Sequence, residues 1–274
     1  MRVIVLGANG MLGAYVSSYL REIYAEIITP TKDEFDIINQ VTSSNFGHDL
    51  HLKPGDIVIN CAGIINKRED KILQGGETLF LRESIMVNSI FPQIMALYCR
   101  AHGARFIHVS TDCVFDGVKG NYDIDDKHNS QDIYGVSKSC GEPNSETCIL
   151  IRTSIIGESK NGRSLLEWLK TKTGQMITGY DNHKWNGITC LELAKQIHSI
   201  LEQGKANGMF VITSPDSVTK YELCKKLTEE YNLNINVVKG KDIKDLDRTL
   251  VGNIVSSKTI CEQIKEMVEY KILA

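Results

Sequence analysis

The sequence predicts an α/β protein built on a doubly wound parallel sheet of the Rossmann type, followed by a small C-terminal lobe. Residues 3–6 form an apolar strand that runs into a glycine turn and an amphipathic helix at about 12–23. Strands and helices then alternate as far as residue 157, which is typical of βαβ units. Beyond 157 the alternation becomes irregular, which indicates a separate lobe.

The glycine turn predicts dinucleotide binding. Gly7 permits a tight turn, Gly10 lets the backbone approach a pyrophosphate, and Gly13 lets the helix pack closely on the strand. The amides at the helix N-terminus would then hold the ligand's negative charge. The residues expected to line the cofactor here are Gly7, Asn9, Gly10, Met11, Leu12 and Gly13.

Composition narrows the classes of partner. The chain has 274 residues and a formal net charge of -3, with acidic and basic residues interspersed, so no nucleic-acid or membrane partner is expected. Its eight cysteines form no CxxC pair and no Cys/His cluster, so we expect neither a metal site nor a disulfide framework. No apolar run approaches the roughly 20 residues of a membrane span. Because Met1 leads directly into a strand, we expect a soluble cytoplasmic protein without a signal peptide.

The residues after the second strand, at about 25–29, favour NADPH. Enzymes that take NAD usually carry an acidic residue there, which holds the ribose 2′-hydroxyl. This chain carries Thr31 and Lys32, and a hydroxyl and a cation suit a 2′-phosphate better. Asp33 and Glu34 weaken the prediction, and the alternative is that Lys32 is a solvated loop cation.

The next elements lead toward the predicted site. A third strand over 56–60 ends in small residues, which would let a ribose and a nicotinamide lie against the backbone at Cys61, Ala62 and Gly63. The polar stretch 64–82 predicts a mobile loop near the substrate. A helix is expected over 83–102, another over 191–203, and a strand that returns to the main sheet over 208–213.

Two further segments place polar side chains where ligands bind in parallel sheets. Ser110, Thr111 and Asp112 follow the fourth strand, and ligands bind at the carboxyl ends of such strands. Tyr134 and Lys138 open a helix and lie one turn apart on the same face. We expect these five side chains to meet at one edge of the sheet.

Their chemistry suits the interconversion of an alcohol and a ketone. A free tyrosine has a pKa near 10, but a neighbouring lysine and an oxidised nicotinamide stabilise the phenolate and lower that pKa. Lys138 would also hydrogen-bond the nicotinamide ribose, and Thr111 or Ser110 would hold the substrate carbonyl. The predicted step is hydride transfer to a ketone carbon while Tyr134 protonates the oxygen.

The glycine turn and the segments STDCVFDG at 110–117, YGVSKSCGE at 134–142 and RTSIIG at 152–157 resemble one family. It is the extended short-chain dehydrogenase/reductases, in particular dTDP-4-dehydrorhamnose reductase and its sugar-nucleotide reductase relatives. The resemblance covers 1–157 and continues more loosely through 185–189. It implies NADPH-dependent reduction of the 4-keto group of a nucleotide-linked 6-deoxy-hexulose, with catalytic residues Thr111, Tyr134 and Lys138.

The resemblance implies further roles by position. Asp36, with Ile37, would reach the adenine, and Asn88 would brace the active-site strand. The polar contact of an ordinary helix is the alternative for Asn88. The domains would be a dinucleotide-binding domain over 1–157, rejoined by 190–213, and a substrate-binding lobe over 158–189 and 214–274.

Cys113 departs from the family pattern, which usually has tyrosine after Ser-Thr-Asp. Carbon atoms next to a 4-keto group are acidic, so a thiolate facing the sugar could exchange a proton at C3 or C5 before reduction. Bifunctional epimerase/reductases are similar in placing a cysteine here with a lysine elsewhere in the pocket, and Lys184 and Lys172 are candidates for that lysine. The alternative is that Cys113 only replaces an aromatic packing residue.

Three further side chains are candidates for substrate binding. Trp185 would stack on the sugar or the base, and Arg248 or Arg163 would clamp the diphosphate. The alternatives are a core aromatic residue and solvated cations.

The sequence therefore predicts an NADPH-dependent reductase of a UDP- or dTDP-linked 4-keto-6-deoxy sugar, serving rhamnose-like or N-acetylated 6-deoxy-hexosamine synthesis. A homodimer is the assembly considered. Two alternatives stay open: a non-catalytic NADP-binding regulatory subunit, since the beta subunit of methionine adenosyltransferase resembles the same reductases, and an epimerase or dehydratase that recycles bound NAD.

Overall fold

The computed structural model of the chain describes residues 1–65, 76–160, 162 and 164–273, with backbone only at 76 and 77. Its strands, in chain order, are β1 (Arg2–Leu6), β2 (Glu26–Ile28), β3 (Ile57–Asn60), β4 (Arg105–Val109), β5 (Ile149–Arg152), β6 (Ile155–Ile156), β7 (Met176–Tyr180), β8 (His183–Trp185), β9 (Ile188–Thr189), β10 (Gly208–Thr213), β11 (Val218–Thr219), β12 (Asn236–Gly240), β13 (Leu246–Asp247) and β14 (Ile254–Val255).

Seven of these strands form a parallel sheet in the order β14-β10-β5-β4-β3-β1-β2, which confirms the predicted Rossmann-type fold. The chain moves outward in one direction from β1 to β2 and in the other from β1 to β3. Ligands of open α/β sheets bind in the crevice at such a reversal of strand order. The fold therefore places the predicted cofactor site between the ends of β1 and β3.

The helices are α1 (Met11–Arg21), α2 (Ile37–Thr42), α3 (Gly76–Ser84), α4 (Phe91–Ala101), α5 (Ile133–Cys140), α6 (Leu165–Lys170), α7 (Cys190–Glu202), α8 (Lys220–Glu230) and α9 (Ile260–Glu269). A π-helical segment, Ile85–Ile90, joins α3 to α4. The predicted loop over 64–82 is therefore wrong at 76–82, where α3 lies, and its residues 66–75 lie outside the described residues. The apolar residues of 76–82 are the consecutive run Leu79, Phe80 and Leu81, which shows no helical period in the sequence.

Both faces of the central sheet are buried, as expected for parallel strands with near-continuous apolar runs. Val3 and Val5 pack on the side of α1 and α7, whereas Ile4 and Leu6 pack on the side of α4. All four side chains are at most 2% exposed. The alternation along β1 thus supplies one residue to each core in turn.

The C-terminal lobe has its own apolar core, to which α6, α8 and the first part of α9 contribute. Ile264 of α9 lies in that core, whereas Met267 lies in the core of the central sheet. β14 also pairs with β10, so the chain returns to the central sheet a second time, at 254–255. The domain boundaries given above remain a prediction.

All eight cysteines are free thiols. Across 1–65, 76–160, 162 and 164–273, no three His, Cys, Asp or Glu side chains are grouped so as to hold a metal ion. Within the same residues, no helix is both long enough and apolar enough to span a membrane.

Candidate active site

Three glycines hold the start of α1 close to its neighbours. Gly7 has a φ of +77°, and a Cβ built on it would lie 2.8 Å from the backbone of Ala62. A Cβ on Gly13 would lie 2.2 Å from the carbonyl oxygen of Gly7. The Gly10 N–H donates to that carbonyl at 2.9 Å. The turn has this shape because it carries no side chains at these positions.

The N-terminus of α1 suits an anion. Gly10 is the N-cap residue and has no side chain to cap the helix, and the sequence of the first turn contains no acidic residue. The amides of a first turn lack partners within the helix, and the helix dipole adds positive charge. The turn therefore fits the pyrophosphate of a dinucleotide. Met11 lines the cleft described below, whereas the Leu12 side chain is buried in the core, so only its backbone is left to face a ligand.

Thr31 and Lys32, which were predicted to favour NADPH, both have carboxylate partners. The Thr31 hydroxyl donates to Glu34 Oε2 at 2.9 Å, and Lys32 Nζ lies 3.6 Å from Asp36 Oδ2. Hydrogen bonds from the Thr31 backbone and hydroxyl lower the pKa of Glu34, so this carboxylate stays ionised. A 2′-phosphate would have to separate these pairs before it could use either residue.

Asp36 has a structural role at α2. Its Oδ1 caps the helix by accepting from the Ile38 N–H at 2.8 Å, so the expected contact of Asp36 and Ile37 with adenine remains a prediction. Sequence reasoning missed Arg21, whose Nη2 donates to Thr29 Oγ1 at 3.3 Å and brings a second cation to the end of β2. Its position depends on the packing of α1 beside β2, which no local pattern revealed.

Asn88 braces the loop after β3 and the helix α5. Its Oδ1 accepts from the Ile64 N–H at 2.8 Å, and its Nδ2 donates to the Ile64 carbonyl at 2.8 Å and to Ser137 Oγ at 3.0 Å. The resemblance implied that Asn88 braces the active-site strand itself. In the structure Asn88 instead contacts Ile64, in the loop after β3, and Ser137 of α5. Gly63 lies beside it, since a Cβ there would be 3.5 Å from Asn88 Oδ1.

The π-helical segment allows α5 to approach closely. A Cβ on Gly141 would lie 1.7 Å from the Asn88 carbonyl oxygen. Next to it, Ser89 Oγ donates to the Ser137 carbonyl at 2.7 Å. π-bulges occur mostly as single turns within α-helices and often at functional sites. This one fixes the helix that carries Tyr134.

The predicted catalytic residues lie together at the ends of β4 and α5. Tyr134 lies beside Thr111, and Lys138 Nζ donates to the Val109 carbonyl at 2.7 Å. Burial raises the pKa of Tyr134, and the neighbouring Thr111 hydroxyl opposes that shift. Burial lowers the pKa of Lys138 to about 8, against the opposite effect of Glu142. The Tyr134 phenol is therefore protonated near neutral pH. Lys138, one turn later on α5, loses its proton near pH 8.

Cys113 lies between an acid and a cation. Arg248 Nη1 donates to its Sγ at 3.4 Å, and Sγ lies 3.7 Å from Asp112 Oδ1. Burial and the charge of Asp112 raise the pKa of Cys113 to about 12, although Arg248 acts in the opposite direction. The thiol is therefore protonated at neutral pH. Arg248 also lies 3.8 Å from Asp132 Oδ2 through its Nη2.

A cleft of about 310 Å³ lies between the carboxyl end of the sheet and the lobe. Its lining includes Met11, Asp112, Cys113, Lys184, Trp185 and Arg248. Trp185 Nε1 donates to Ser154 Oγ at 2.9 Å, and Lys184 pairs with Asp247 at 3.1 Å. Lys172 does not belong to the described residues that line this cleft. Arg163 lies outside the described residues.

The sequence matches the family model of the RmlD substrate binding domain over residues 1–250. The chain belongs to this family. The resemblance to dTDP-4-dehydrorhamnose reductases stated above is thereby confirmed at the level of the family.

The relatives of this RmlD-family chain include a reductase and a regulatory subunit, two of the three classes of protein considered above. It is 32% identical over 148 residues to a dTDP-4-dehydrorhamnose reductase of Mycobacterium tuberculosis, an alignment that covers 52% of this chain but only 44% of that relative. It is 23% identical to the methionine adenosyltransferase 2 subunit beta of Xenopus tropicalis, over 85% of this chain and 72% of the other.

A solved structure shares the fold. A dTDP-4-dehydrorhamnose reductase of Bacillus anthracis str. Ames in complex with NADP superposes with a TM-score of 0.76 at 22% identity, over 97% of this chain and 98% of that one. At this identity the likeness concerns the fold alone.

The RmlD-family site also rests on a buried ion pair that sequence reasoning missed. Arg152 Nη2 donates to Glu142 Oε2 at 2.8 Å and to His128 Nε2 at 2.7 Å. Ser110 Oγ donates to Glu142 Oε1 at 2.6 Å. Both hydroxyls therefore donate to carboxylates, Ser110 to Glu142 and Thr111 to Asp112, and either would have to turn away from its carboxylate to meet a substrate carbonyl. Glu142 and Arg152 stand within the family segments, but their types alone do not show that they pair.

Proposed function

We propose that this RmlD-family chain is an NADPH-dependent reductase of the 4-keto group of a nucleotide-linked 6-deoxy-hexose. The observation that carries the proposal is that Tyr134 of α5 lies beside Thr111, Asp112 and Cys113, which follow β4, with Asp112 and Cys113 in the wall of the cleft. The names of the Mycobacterium tuberculosis and Bacillus anthracis proteins, and the NADP bound to the latter, support it.

The glycine turn would hold the cofactor's pyrophosphate, and Cys61, Ala62 and Gly63 would lie against its ribose and nicotinamide. Thr31 and Lys32, or Arg21, would meet the 2′-phosphate once the carboxylates of Glu34 and Asp36 move away. NADPH supplies the hydride when it is bound. The side chains of the protein would then supply the proton that the reduction needs.

Tyr134 would donate its phenolic proton to the carbonyl oxygen at C4 as negative charge develops there. Its raised pKa keeps it protonated before the step. The Lys138 ammonium would stabilise the phenolate that remains, and the Thr111 hydroxyl would hold the substrate oxygen in place. Because Thr111 Oγ1 donates its single proton to Asp112 Oδ1 at 3.1 Å, this hydroxyl would have to turn toward the substrate when the substrate binds.

The substrate would occupy the cleft, with the sugar near Cys113 and the diphosphate near Arg248. A guanidinium can bind a diphosphate through two parallel hydrogen bonds, and the Trp185 ring lies in the same wall. We propose a dTDP-linked sugar, in accord with the names of the relatives, and UDP-linked sugars form the other arm of the test.

Epimerisation before reduction is a second candidate function. The epimerase hypothesis requires a cysteine and a lysine in one cleft. Cys113 and Lys184 line the same cleft, and Lys172 does not line it. Because the pKa of Cys113 is raised to about 12, its thiol would act as the acid that returns a proton to the ring rather than as the base. The reaction in deuterated water with wild-type protein and with Cys113→Ala tests this; absence of ring deuterium in the wild-type product would exclude epimerisation.

The experiment for the main proposal mixes the protein with NADPH and a panel of dTDP- and UDP-linked 4-keto-6-deoxy sugars, and identifies the products by NMR. We expect oxidation of NADPH and a 4-hydroxy product. Tyr134→Phe should lower kcat by about 10²- to 10⁴-fold while the cofactor still binds. Undiminished turnover in that variant would contradict the proposal.

The same assay separates the alternatives. A regulatory subunit would bind NADP and leave every sugar unchanged, and an enzyme that recycles bound NAD would convert a sugar without net oxidation of NADPH. The homodimer remains a prediction, and sedimentation equilibrium of the whole chain tests it.

A further inference from the structure

His108 lies in the interior of the Rossmann sheet beside Lys138. Its side chain is fully buried, and the reaction proposed above does not use it. Its Nδ1 lies 3.1 Å from Asn60 Nδ2, and its Nε2 lies 3.4 Å from Lys138 Nζ. The three side chains therefore form a polar chain that runs from the end of β3 across β4 to α5.

The backbone of Ala62 sets the direction of the hydrogen bonds in this chain. Its N–H donates to Asn60 Oδ1 at 3.1 Å. Because a backbone N–H can only donate, the amide oxygen of Asn60 faces Ala62 and the NH₂ group faces His108. The His108 Nδ1 must then accept that hydrogen bond. In a neutral imidazole the single proton is left on Nε2, which is the nitrogen next to Lys138.

The ring is neutral in this position. Burial, and then the charge of Lys138, hold the pKa of His108 well below its usual value. A buried N–H requires an acceptor, and a lysine offers one only when it has lost a proton, because an ammonium has three donors and no lone pair.

We propose that His108 is a positioning residue that donates its Nε2–H to the unprotonated amine of Lys138 and stabilises that amine relative to the ammonium. The bond from Lys138 Nζ to the Val109 carbonyl, at 2.7 Å, is compatible with both forms. Asn60 acts one step further away, by fixing the tautomer of His108. Asn60, His108 and Lys138 all belong to the residues that the structure describes.

Other titratable groups act on Lys138 from each neighbouring element. Glu142, which follows α5, and Cys61, which follows β3, favour the ammonium. Tyr134 lies one turn earlier on the same helix, and Arg152 shares the charge of Glu142 through its ion pair. His108 is thus the group of β4 that favours the amine. If the proposed reduction is correct, this balance would let Lys138 pass a proton to the Tyr134 phenolate after each turnover.

The test observes the tautomer and the lysine directly, without substrate. In protein labelled with ¹³C-lysine, with Lys138→Met to assign the resonance, we expect Lys138 to titrate near pH 8. In protein labelled with ¹⁵N-histidine, we expect His108 to carry its proton on Nε2 above that midpoint, where the Lys138 amine can accept it. A proton on Nδ1 above that midpoint in the wild-type protein would overturn the proposal.

Two variants separate this role from a merely structural one. His108→Phe keeps a ring but removes the N–H, and the midpoint of Lys138 should rise by about one pH unit, a tenfold change in its ionisation constant. Asn60→Asp accepts from both Ala62 and His108, which should move the histidine proton to Nδ1. The tautomer is the readout for this variant, because the new carboxylate raises the Lys138 midpoint by its charge alone. His102→Phe, at an exposed histidine, is the control and should leave it unchanged.

An unchanged Lys138 midpoint in folded His108→Phe would overturn the proposal, and if that variant does not fold, a histidine proton that stays on Nε2 in Asn60→Asp would overturn it. The pH profile of turnover should move with the midpoint. Because both NMR readouts need no substrate, their failure concerns His108, whereas a lack of turnover with the expected spectra would overturn only the proposed function.

Discussion

At the scale of single residues, the site consists of side chains whose ionisation is set by burial. Tyr134 and Cys113 are held protonated and Lys138 is held close to losing its proton, and in each case the largest cause is the removal of water. The sequence analysis predicted that a neighbouring lysine lowers the pKa of Tyr134, whereas in the structure without cofactor burial raises it. Burial depends on packing from several elements, and a local pattern does not contain it.

The buried Lys138 should make stability depend on pH. The ordinary pKa of a lysine, 10.5, falls to about 8 for Lys138 in the folded protein, so between these values the unfolded chain binds more protons and stability rises with pH. Relative to Lys138→Met, the wild-type protein should gain about 3 kcal/mol as pH rises from 8 to 10.5, and its stability should not change further below pH 8. Urea unfolding of both proteins at several pH values measures this.

Lys32→Met is the matched control, because the Lys32 side chain is 78% exposed. Its difference from the wild-type protein should stay small in every condition, because an exposed ion pair contributes little to stability. A difference for Lys138→Met that is equally flat would show that the lysine is hydrated in the folded state.

At the scale of elements, the alternation of strands and helices was predictable, and the contacts between helices were not. The strand over 208–213 agrees residue for residue, because its apolar run is continuous. The π-helical segment before α4 was not predicted, since a single extra residue does not disturb the apolar pattern enough to be noticed. The close approach of α5 to it depends on Gly141, which in the sequence is only one glycine among others.

Gly141→Ala should separate these helices. Its Cβ would lie 1.7 Å from the Asn88 carbonyl oxygen, and backbone cannot move aside as a flexible side chain can. We expect a loss of about 1–3 kcal/mol in the free energy of unfolding, the usual cost of overpacking, together with a lower kcat. Urea unfolding and turnover measure the two effects. Cys140→Ala, at the exposed neighbouring position, should change neither.

The ion pair between Glu142 and Arg152 should contribute to stability in a different way. Arg152 is 3% exposed, so Glu142→Gln leaves a buried guanidinium without its carboxylate. Breaking a buried pair in this way costs about 3–5 kcal/mol, and chemical denaturation measures it. Glu229→Gln, which removes an exposed pair with Lys226 on α8, should have no measurable effect. Equal effects would mean that water reaches Arg152.

At the scale of the whole molecule, the site is closed by contacts between distant parts of the chain. Arg248 reaches Cys113 across 135 positions, and Trp185 reaches Ser154 across 31. Residue type and position were enough to name Cys113, Trp185 and Arg248 as candidates, but not to pair Arg248 with Cys113. Contacts of this length are a property of the fold, so no local pattern in the sequence reveals them.

Cofactor binding should stabilise the whole chain, and NADPH should do so more than NADH. A ligand at a hundred times its Kd adds about 2.7 kcal/mol to the free energy of unfolding. Thermal unfolding with each cofactor at equal concentration should show the larger rise in Tm with NADPH. Lys32→Ala should reduce the NADPH effect more than the NADH effect, and Lys119→Ala, far from the turn, should alter neither. Equal rises in the wild-type protein would count against a 2′-phosphate site.

The π-helical segment Ile85–Ile90 also restricts how this protein can vary in length. Deleting one residue there would restore regular α-helical winding, so the wide turn that carries Asn88 and Ser89 would be lost. Asn88 could then no longer face both Ile64 and Ser137. Surface loops usually tolerate insertions and deletions. At this turn we expect them to disrupt the site, even where every predicted catalytic side chain is kept.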